Sequence, residues 1–301
     1  MISRVGGEGD DLPMDTSAYY GGSSDRHYLE LNEAEESMLA MLEENFGTLI
    51  VVLNSTNAME LGFLEDEGVD AALWSECYGS VGTVALGNIL NGSVNPSAKT
   101  SDTFAYEVES NPTYYSFGGY DYTNVSYSNG GLAAGTGDAV AGDDPFHYVK
   151  YVEGIYVGYR FYETAAADGF IDYDKTVQFP FGYGLSYTEF EQTLDSVTFD
   201  GSTVKAEVTV KNTGDAAGRE VAELYYSAPY TKGGIEKSEV VLGAFAKTDR
   251  LEPGQSQTLS LQIAAEDMAS YDYLGVKAEG GAYVLEAGDY DIRLQSDSHH
   301  V

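Results

Sequence analysis

The sequence predicts an α/β unit followed by an all-β sandwich. Two observations carry this. Up to about residue 105, short apolar runs of strand length alternate with segments of helical period. From about residue 190 the apolar period falls to two and no helical pattern returns. A chain of 301 residues has room for about two such domains.

The first element is a strand stub, Met1-Ile2-Ser3-Arg4-Val5, which reads as the end of a buried strand. Asn32 is placed to cap a helix whose first turn carries Glu33, Glu35 and Glu36, where the helix dipole favours acids. Met38, Leu42 and Phe46 repeat at i, i+4 along it, and Gly47 stops the run. Leu49 to Leu53 follows without alternation, as expected of a strand covered on both faces. Ala71-Ala72-Leu73-Trp74 is the next strand, and Val81, Val84, Ala85 and Ile89 mark a helix closed by Gly92. This order implies parallel strands with right-handed crossovers.

Residues 106–148 differ in kind. They hold Tyr106, Tyr114, Tyr115, Tyr120, Tyr122 and Tyr127 among Gly, Ser and Asn, and then a Gly/Ala/Asp stretch at 130–144. The stretch reads as a long excursion without regular structure. It is either a variable surface insertion or a loop whose tyrosines stack on sugar faces. In the β half, Val204, Ala206, Val208 and Val210 alternate with polar residues, as do Leu259, Leu261 and Ile263, and later Ile292 and Leu294. Asn212-Thr213-Gly214, Glu252-Pro253-Gly254 and Ala287-Gly288-Asp289 supply turns between the strands. The pattern is that of a sandwich of roughly 110 residues. The final stretch with His299 and His300 reads as a frayed tail with no metal role.

Composition narrows the partners. Asp and Glu number 49 against 15 Lys and Arg, a net charge of −34. Such a surface repels phosphate backbones and anionic lipid, so no nucleic acid is expected, whereas a neutral sugar is compatible with it. The longest apolar run, Leu49–Leu53, is far too short for a membrane-spanning segment, and no segment reads as a secretory leader. The single cysteine, Cys77, excludes an internal disulfide and a cysteine-based metal site, and it reads as an inert buried thiol. No cofactor motif is present, and the cluster Asp138, Asp143 and Asp144 reads as a solvated acidic patch rather than a cation site.

The loop Gly6-Gly7-Glu8-Gly9-Asp10-Asp11 follows the strand stub directly. Ligands of α/β domains gather at the carboxyl ends of strands, and glycines let a ligand approach backbone. A carboxylate held there suits acid/base work. An acidic surface turn is the plain alternative, and three carboxylates in four residues argue against a phosphate cradle.

Several segments together resemble the glycoside hydrolase family 3, the β-glucosidase-like enzymes. MISRVGGEGDDLP at 1–13 is similar to the family's ISRxxGEGxD segment, and TLIVVLNSTNAMELGFL at 48–64 continues the same domain. Asn95-Pro96-Ser97-Ala98-Lys99 resembles NPSGK with Ala98 in place of Gly. YVEGIYVGYRFYE at 151–163 and FPFGYGLSYT at 179–188 look like the end of that domain. KNTGDAAGREVAELYYSAP at 211–229 and LEPGQSQTLSLQI at 251–263 look like the fibronectin-III-like domain of many members. The resemblance covers about 1–105 and 149–296, with the motifs in the family's order.

The resemblance implies a partial parallel-sheet α/β sandwich domain at 1–189, carrying the insertion at about 106–148, and a fibronectin type III-like domain at 190–298. It implies the C-terminal portion of a retaining exo-glycosidase that hydrolyses O-glycosyl bonds of a β-glucoside or related carbohydrate. Glu8, in the GEG segment, would be the general acid/base. The family's nucleophile lies in a barrel domain that these residues do not contain, and at Gly79-Ser80-Val81-Gly82 the acidic residue of the family's GQEGG pattern is absent. The isolated chain is therefore expected to be inactive. A non-catalytic carbohydrate-binding or scaffolding fragment is the alternative. Substrate-binding residues, sugar and linkage stay open. The acidity and the insertion suit an extracellular or cell-surface bacterial enzyme without fixing a compartment.

Overall fold

The computed structural model describes residues 1–6, 12–65, 68–76, 78–114, 121–126, 145–147 and 151–301, with backbone alone for 121–126 and 145–147. Strand β1 (Ile2–Arg4) leads to helix α1 (Glu33–Asn45), then strands β2 (Ile50–Ser55) and β3 (Ala71–Ser75) and helix α2 (Thr83–Leu90). The three strands form one sheet in the order β1-β2-β3, parallel throughout, with Ile2 opposite Leu53 and Leu53 opposite Trp74.

Helix α1 starts where Asn32 allows. The Asn32 Oδ1 accepts from the backbone N–H of Ala34 and Glu35, and the Glu35 carboxylate accepts from the Asn32 N–H, which makes a reciprocal capping box. The buried face lies one residue away from the Met38–Leu42–Phe46 row. Leu39 points inward with Leu42 beside it, and Phe46 is exposed because it is the C-cap, already extended beyond the last helical turn. The core of this part gathers Ile2, Leu31, Leu39, Val51, Leu53, Met59, Leu61 and Phe104. Trp74 meets Phe104 edge-on at 5.1 Å. Coverage of β2 on both faces holds for Val51, Val52 and Leu53 and fails at Ile50, the exposed first residue of the strand. Helix α2 buries no residue.

The excursion carries some regular structure. Strands β4 (Phe104–Ala105), β5 (Asp121–Ser126) and β6 (Pro145–His147) come before helices α3 (Tyr159–Ala167) and α4 (Tyr173–Thr176) and strand β7 (Val177–Phe179). β5 and β6 pair antiparallel, which corrects the expectation of an unstructured insertion, and β4 pairs antiparallel with β7. The Gly/Ala/Asp stretch with Asp138, Asp143 and Asp144 lies outside the described residues.

The antiparallel part runs through β8 (Phe190–Phe199), β9 (Thr203–Asn212), β10 (Val221–Ser227), β11 (Val241–Lys247), β12 (Ser256–Ala264), β13 (Ser270–Tyr271), β14 (Tyr283–Val284) and β15 (Asp291–Gln295). One sheet has the order β12-β9-β8 and the other β11-β10-β15, and β13 pairs with β14. Val204, Ala206, Val208 and Val210 of β9 and Leu259, Leu261 and Ile263 of β12 face Ala222, Leu224 and Tyr226 of β10 across the core. Strand β10 breaks the alternation: every residue from Val221 to Tyr226 is buried. Its inner face fills the sandwich. Its outer face, with Glu223 and Tyr225, lies against the α/β part, where the Tyr225 ring meets Tyr159 of α3 at 6.3 Å. The segment 296–300 is docked rather than frayed. Asp297 and Ser298 are buried, and the Ser298 N–H donates to the Phe181 carbonyl at 2.8 Å.

Candidate active site

The carboxyl ends of β1 and β2 frame the place where the GEG loop leaves the sheet. Arg4, on the last residue of β1, is 5% exposed and spends its guanidinium on the surroundings of that strand end. Its Nε donates to the Tyr28 carbonyl at 2.5 Å and its Nη2 to the Glu30 carbonyl at 2.6 Å. Nη1 and Nη2 grip the two oxygens of Glu35 at 2.8 and 2.6 Å, a bidentate pair. Burial pushes the Glu35 carboxyl up, but the Arg4 hydrogen bonds and charge and the Asn32 N–H outweigh it and hold the group below its ordinary value. The helix-capping box and the strand anchor thus share one carboxylate.

Next along the chain, the Tyr28 hydroxyl accepts from the Val5 N–H and donates to the Val5 carbonyl, both at 3.2 Å. Thr56, just past β2, donates its hydroxyl to the Gly6 carbonyl at 2.8 Å. A Cβ at position 6 would lie 2.0 Å from Leu12 Cδ2, so any side chain there would require Leu12 to move. Gly6 and Leu12, which flank the loop, therefore pack against each other. Glu8 itself, with Gly7, Gly9, Asp10 and Asp11, lies outside the described residues, as does Cys77. The near end of the segment carrying Glu8, Gly6, is held beside the carboxyl end of β2 by Thr56.

Past β3, Glu76 accepts from Ser101 at 3.5 Å, which brings Ser101 and Asp102 to the same end of the sheet. Surrounding protein mass pushes the Asp102 carboxyl above its ordinary value against a hydrogen bond from the Thr103 N–H, and the side chain still meets solvent. Among the described residues, no group of three or more His, Cys, Asp or Glu is arranged to hold a metal ion.

The two Gly/Tyr-rich motifs do a different job. Asn95 accepts from the Ser186 hydroxyl at 3.0 Å and the Tyr187 N–H at 2.8 Å, and donates to the Ala217 carbonyl at 3.2 Å. Lys99 pairs with Glu220 at 3.0 Å. Thr100 donates its N–H to the Tyr183 carbonyl at 2.7 Å and accepts from Gly182 N–H at 2.9 Å. Gly184 has to be glycine because a Cβ there would come within 2.5 Å of the Ala98 carbonyl oxygen. From YVGYRFYE, the Tyr159 ring stacks on Phe181 at 4.7 Å, and Thr164, the residue after the motif, accepts from the Glu239 N–H at 2.9 Å. These motifs fasten the α/β part to the sandwich. Sequence reasoning missed three buried carboxyls there, Glu163, Glu223 and Asp297. The unalternating stretch from Val221 to Tyr226 was the signal for the second.

The comparisons with known proteins decide the family. Residues 6–159 match the profile of the glycosyl hydrolase family 3 C-terminal domain, which is half of the chain. The chain belongs to glycosyl hydrolase family 3. Residues 220–298 match the fibronectin type III-like domain. The chain is 38% identical over 280 residues to β-glucosidase A of Butyrivibrio fibrisolvens, covering 88% of this chain and 30% of that protein. It is 33% identical over 298 residues to a β-glucosidase of Ruminococcus albus, covering 99% of this chain and 26% of that one. Among solved structures, a β-glucosidase of Paenibacillus barengoltzii superposes with a TM-score of 0.75 at 33% identity, over 92% of this chain and 27% of that chain. β-Glucosidase 3B of Thermotoga neapolitana, solved with glucose, gives 0.73 at 31% identity, over 99% of this chain and 35% of that one. This family 3 chain thus spans less than a third of the curated β-glucosidases it matches.

Proposed function

We propose that this chain is part of a retaining, β-glucosidase-like exo-glycosidase and supplies its general acid/base, Glu8. The observation that supports this most is the anchoring around β1. Arg4, Tyr28 and Thr56 hold the strand end and Gly6 beside the carboxyl end of β2, so the GEG loop starts from a fixed point. Family membership gives the loop its chemistry. In a retaining enzyme two carboxyls stand about 5–5.5 Å apart across the glycosidic bond. One attacks the anomeric carbon, while the other gives a proton to the leaving oxygen and later takes one from water. Glu8 fills the second role. The attacking carboxylate comes from the family's barrel domain, outside these 301 residues. The two units divide near residue 189, an α/β sandwich domain at 1–189 and a fibronectin type III-like domain at 190–298.

One carboxylate cannot form and resolve a glycosyl-enzyme intermediate, so the purified chain turns over no aryl β-glucoside, and mixing it with a family barrel restores turnover. Hydrolysis by the purified chain alone, abolished by one Asp or Glu substitution, would show a second catalytic carboxyl within it. Absence of turnover with every barrel tried, together with binding of soluble glucans, would replace this reading with a carbohydrate-binding fragment.

A further inference from the structure

The seam between the α/β part and the sandwich buries three carboxyls within one neighbourhood, and no lysine or arginine hydrogen-bonds to any of them among the described residues. Glu163 of α3 receives hydrogen bonds from the Tyr173 hydroxyl at 2.7 Å and the Ser298 hydroxyl at 3.0 Å, and lies 2.8 Å from His299 Nδ1. His299 stacks flat on Tyr173 at 3.6 Å, so the 296–300 segment is clasped to α3 and α4. Asp297 accepts from the His299 and His300 backbone N–H groups and faces the His300 ring at 2.9 Å. Glu223 of β10 is 4% exposed and, among the described residues, has one hydrogen-bond donor, the Tyr225 hydroxyl at 2.6 Å.

The Glu223 side chain fills the space left by the missing side chain of Gly182 in the FGYG turn, where a Cβ would come 2.4 Å from its Oε2. Across the sheet, Glu223 stands directly opposite Gln295. The Gln295 amide nitrogen donates to the Asp297 and Ser298 carbonyls, which leaves its oxygen facing the other way, buried and without a donor among the described residues. Directly opposed side chains on one face of an antiparallel pair lie within reach of each other. An ionised Glu223 offers that oxygen nothing, whereas a protonated one offers the O–H it lacks.

We propose that this seam is a proton-operated joint, in which the protonated Glu223 carboxyl closes the contact between β10, β15 and the FGYG turn and loss of its proton loosens it. The groups that face Glu223 agree on the direction. Burial is the largest influence and pushes its pKa up to about 7; the Tyr225 hydrogen bond and the Lys99 charge oppose it, and Asp297 and Glu220 add to it. On the α3 side, burial raises Glu163 against its bonds from His299, Tyr173 and Ser298. With the acid's pKa raised in the closed joint, closure is favoured at mildly acidic pH and is lost as pH rises through the closed-state value.

Hydrogen exchange of the 301-residue chain, corrected for intrinsic rates, reads the joint directly. A carboxyl with pKa near 7 when closed and an ordinary value when open makes opening about tenfold more favourable at pH 8 than at pH 6. Amides of 221–227 and 292–300 are expected to lose about that factor of protection, while 204–210 in the inner sheet change little. Glu223→Gln removes the dependence. Lys99→Gln, which takes away an opposing cation, shifts it to higher pH. Equal protection at pH 6 and pH 8, a dependence that survives Glu223→Gln, or a Lys99→Gln shift to lower pH would each overturn the proposal.

Discussion

Arg4 shows how much can depend on one residue. The guanidinium is buried, bidentate to Glu35, and bonded to carbonyls of Ser3, Tyr28 and Glu30. Removing it leaves Glu35 partly buried without its cation and the Ser3, Tyr28 and Glu30 carbonyls without this donor. Breaking a buried pair by deleting one partner typically costs about 3–5 kcal/mol. Arg4→Ala is therefore expected to lower the urea midpoint by that much stability, and Arg4→Lys is expected to recover only a small part, since an ammonium lacks the planar fork. A loss within 0.5 kcal/mol of zero, on the scale of an ordinary surface change, would mean that the strand end is not held by this network. The sequence displays Arg4 only as one letter in ISR. Its partners Tyr28, Glu30 and Glu35 belong to a loop and a helix start, and no local pattern pairs them with a strand.

At the scale of elements, legibility follows period and caps. Helix α1 was readable because Asn32 and Glu35 form a capping box and the apolar residues repeat at helical spacing. Asn32→Ala is expected to cost about 1 kcal/mol, the usual worth of such a cap, measured by denaturant unfolding; no change would mean that the Arg4–Glu35 pair alone fixes the helix start. Strand β9 was readable because alternation forces one face inward. Leu224 at the centre of β10 has no exposed surface, so Leu224→Ala is expected to cost about 2–5 kcal/mol. A loss under 1 kcal/mol would contradict the two-sheet core. The helical face was misread by one residue at Leu39 because Met38, Leu42 and Phe46 also keep the spacing, and only the helix end at Asn45 shows that Phe46 falls outside. The β5–β6 pairing was hidden by its Gly/Ser-rich surroundings, which carry no alternation.

For the whole molecule, the motifs announced the family, and the structure shows what most of them do. NPSAK, FPFGYGLSYT and YVGYRFYE build a seam, with glycines where backbone or a buried carboxyl comes close. The docking of 296–300 was illegible because its hold comes from Glu163, Tyr173 and Phe181, which are distant in sequence. Gly6, from which the GEG segment departs, is held beside the carboxyl end of β2 by Thr56. Whether Glu8 protonates the leaving oxygen is tested by Glu8→Gln in this chain joined to a family barrel, assayed on cellobiose and on an activated aryl glucoside with and without azide. The expected result is a fall of roughly 100-fold or more on cellobiose, a smaller fall in glycosylation by the aryl glucoside, and partial recovery with azide, which attacks the intermediate without a base. An unchanged rate on cellobiose would contradict it and return Glu8 to an acidic surface turn.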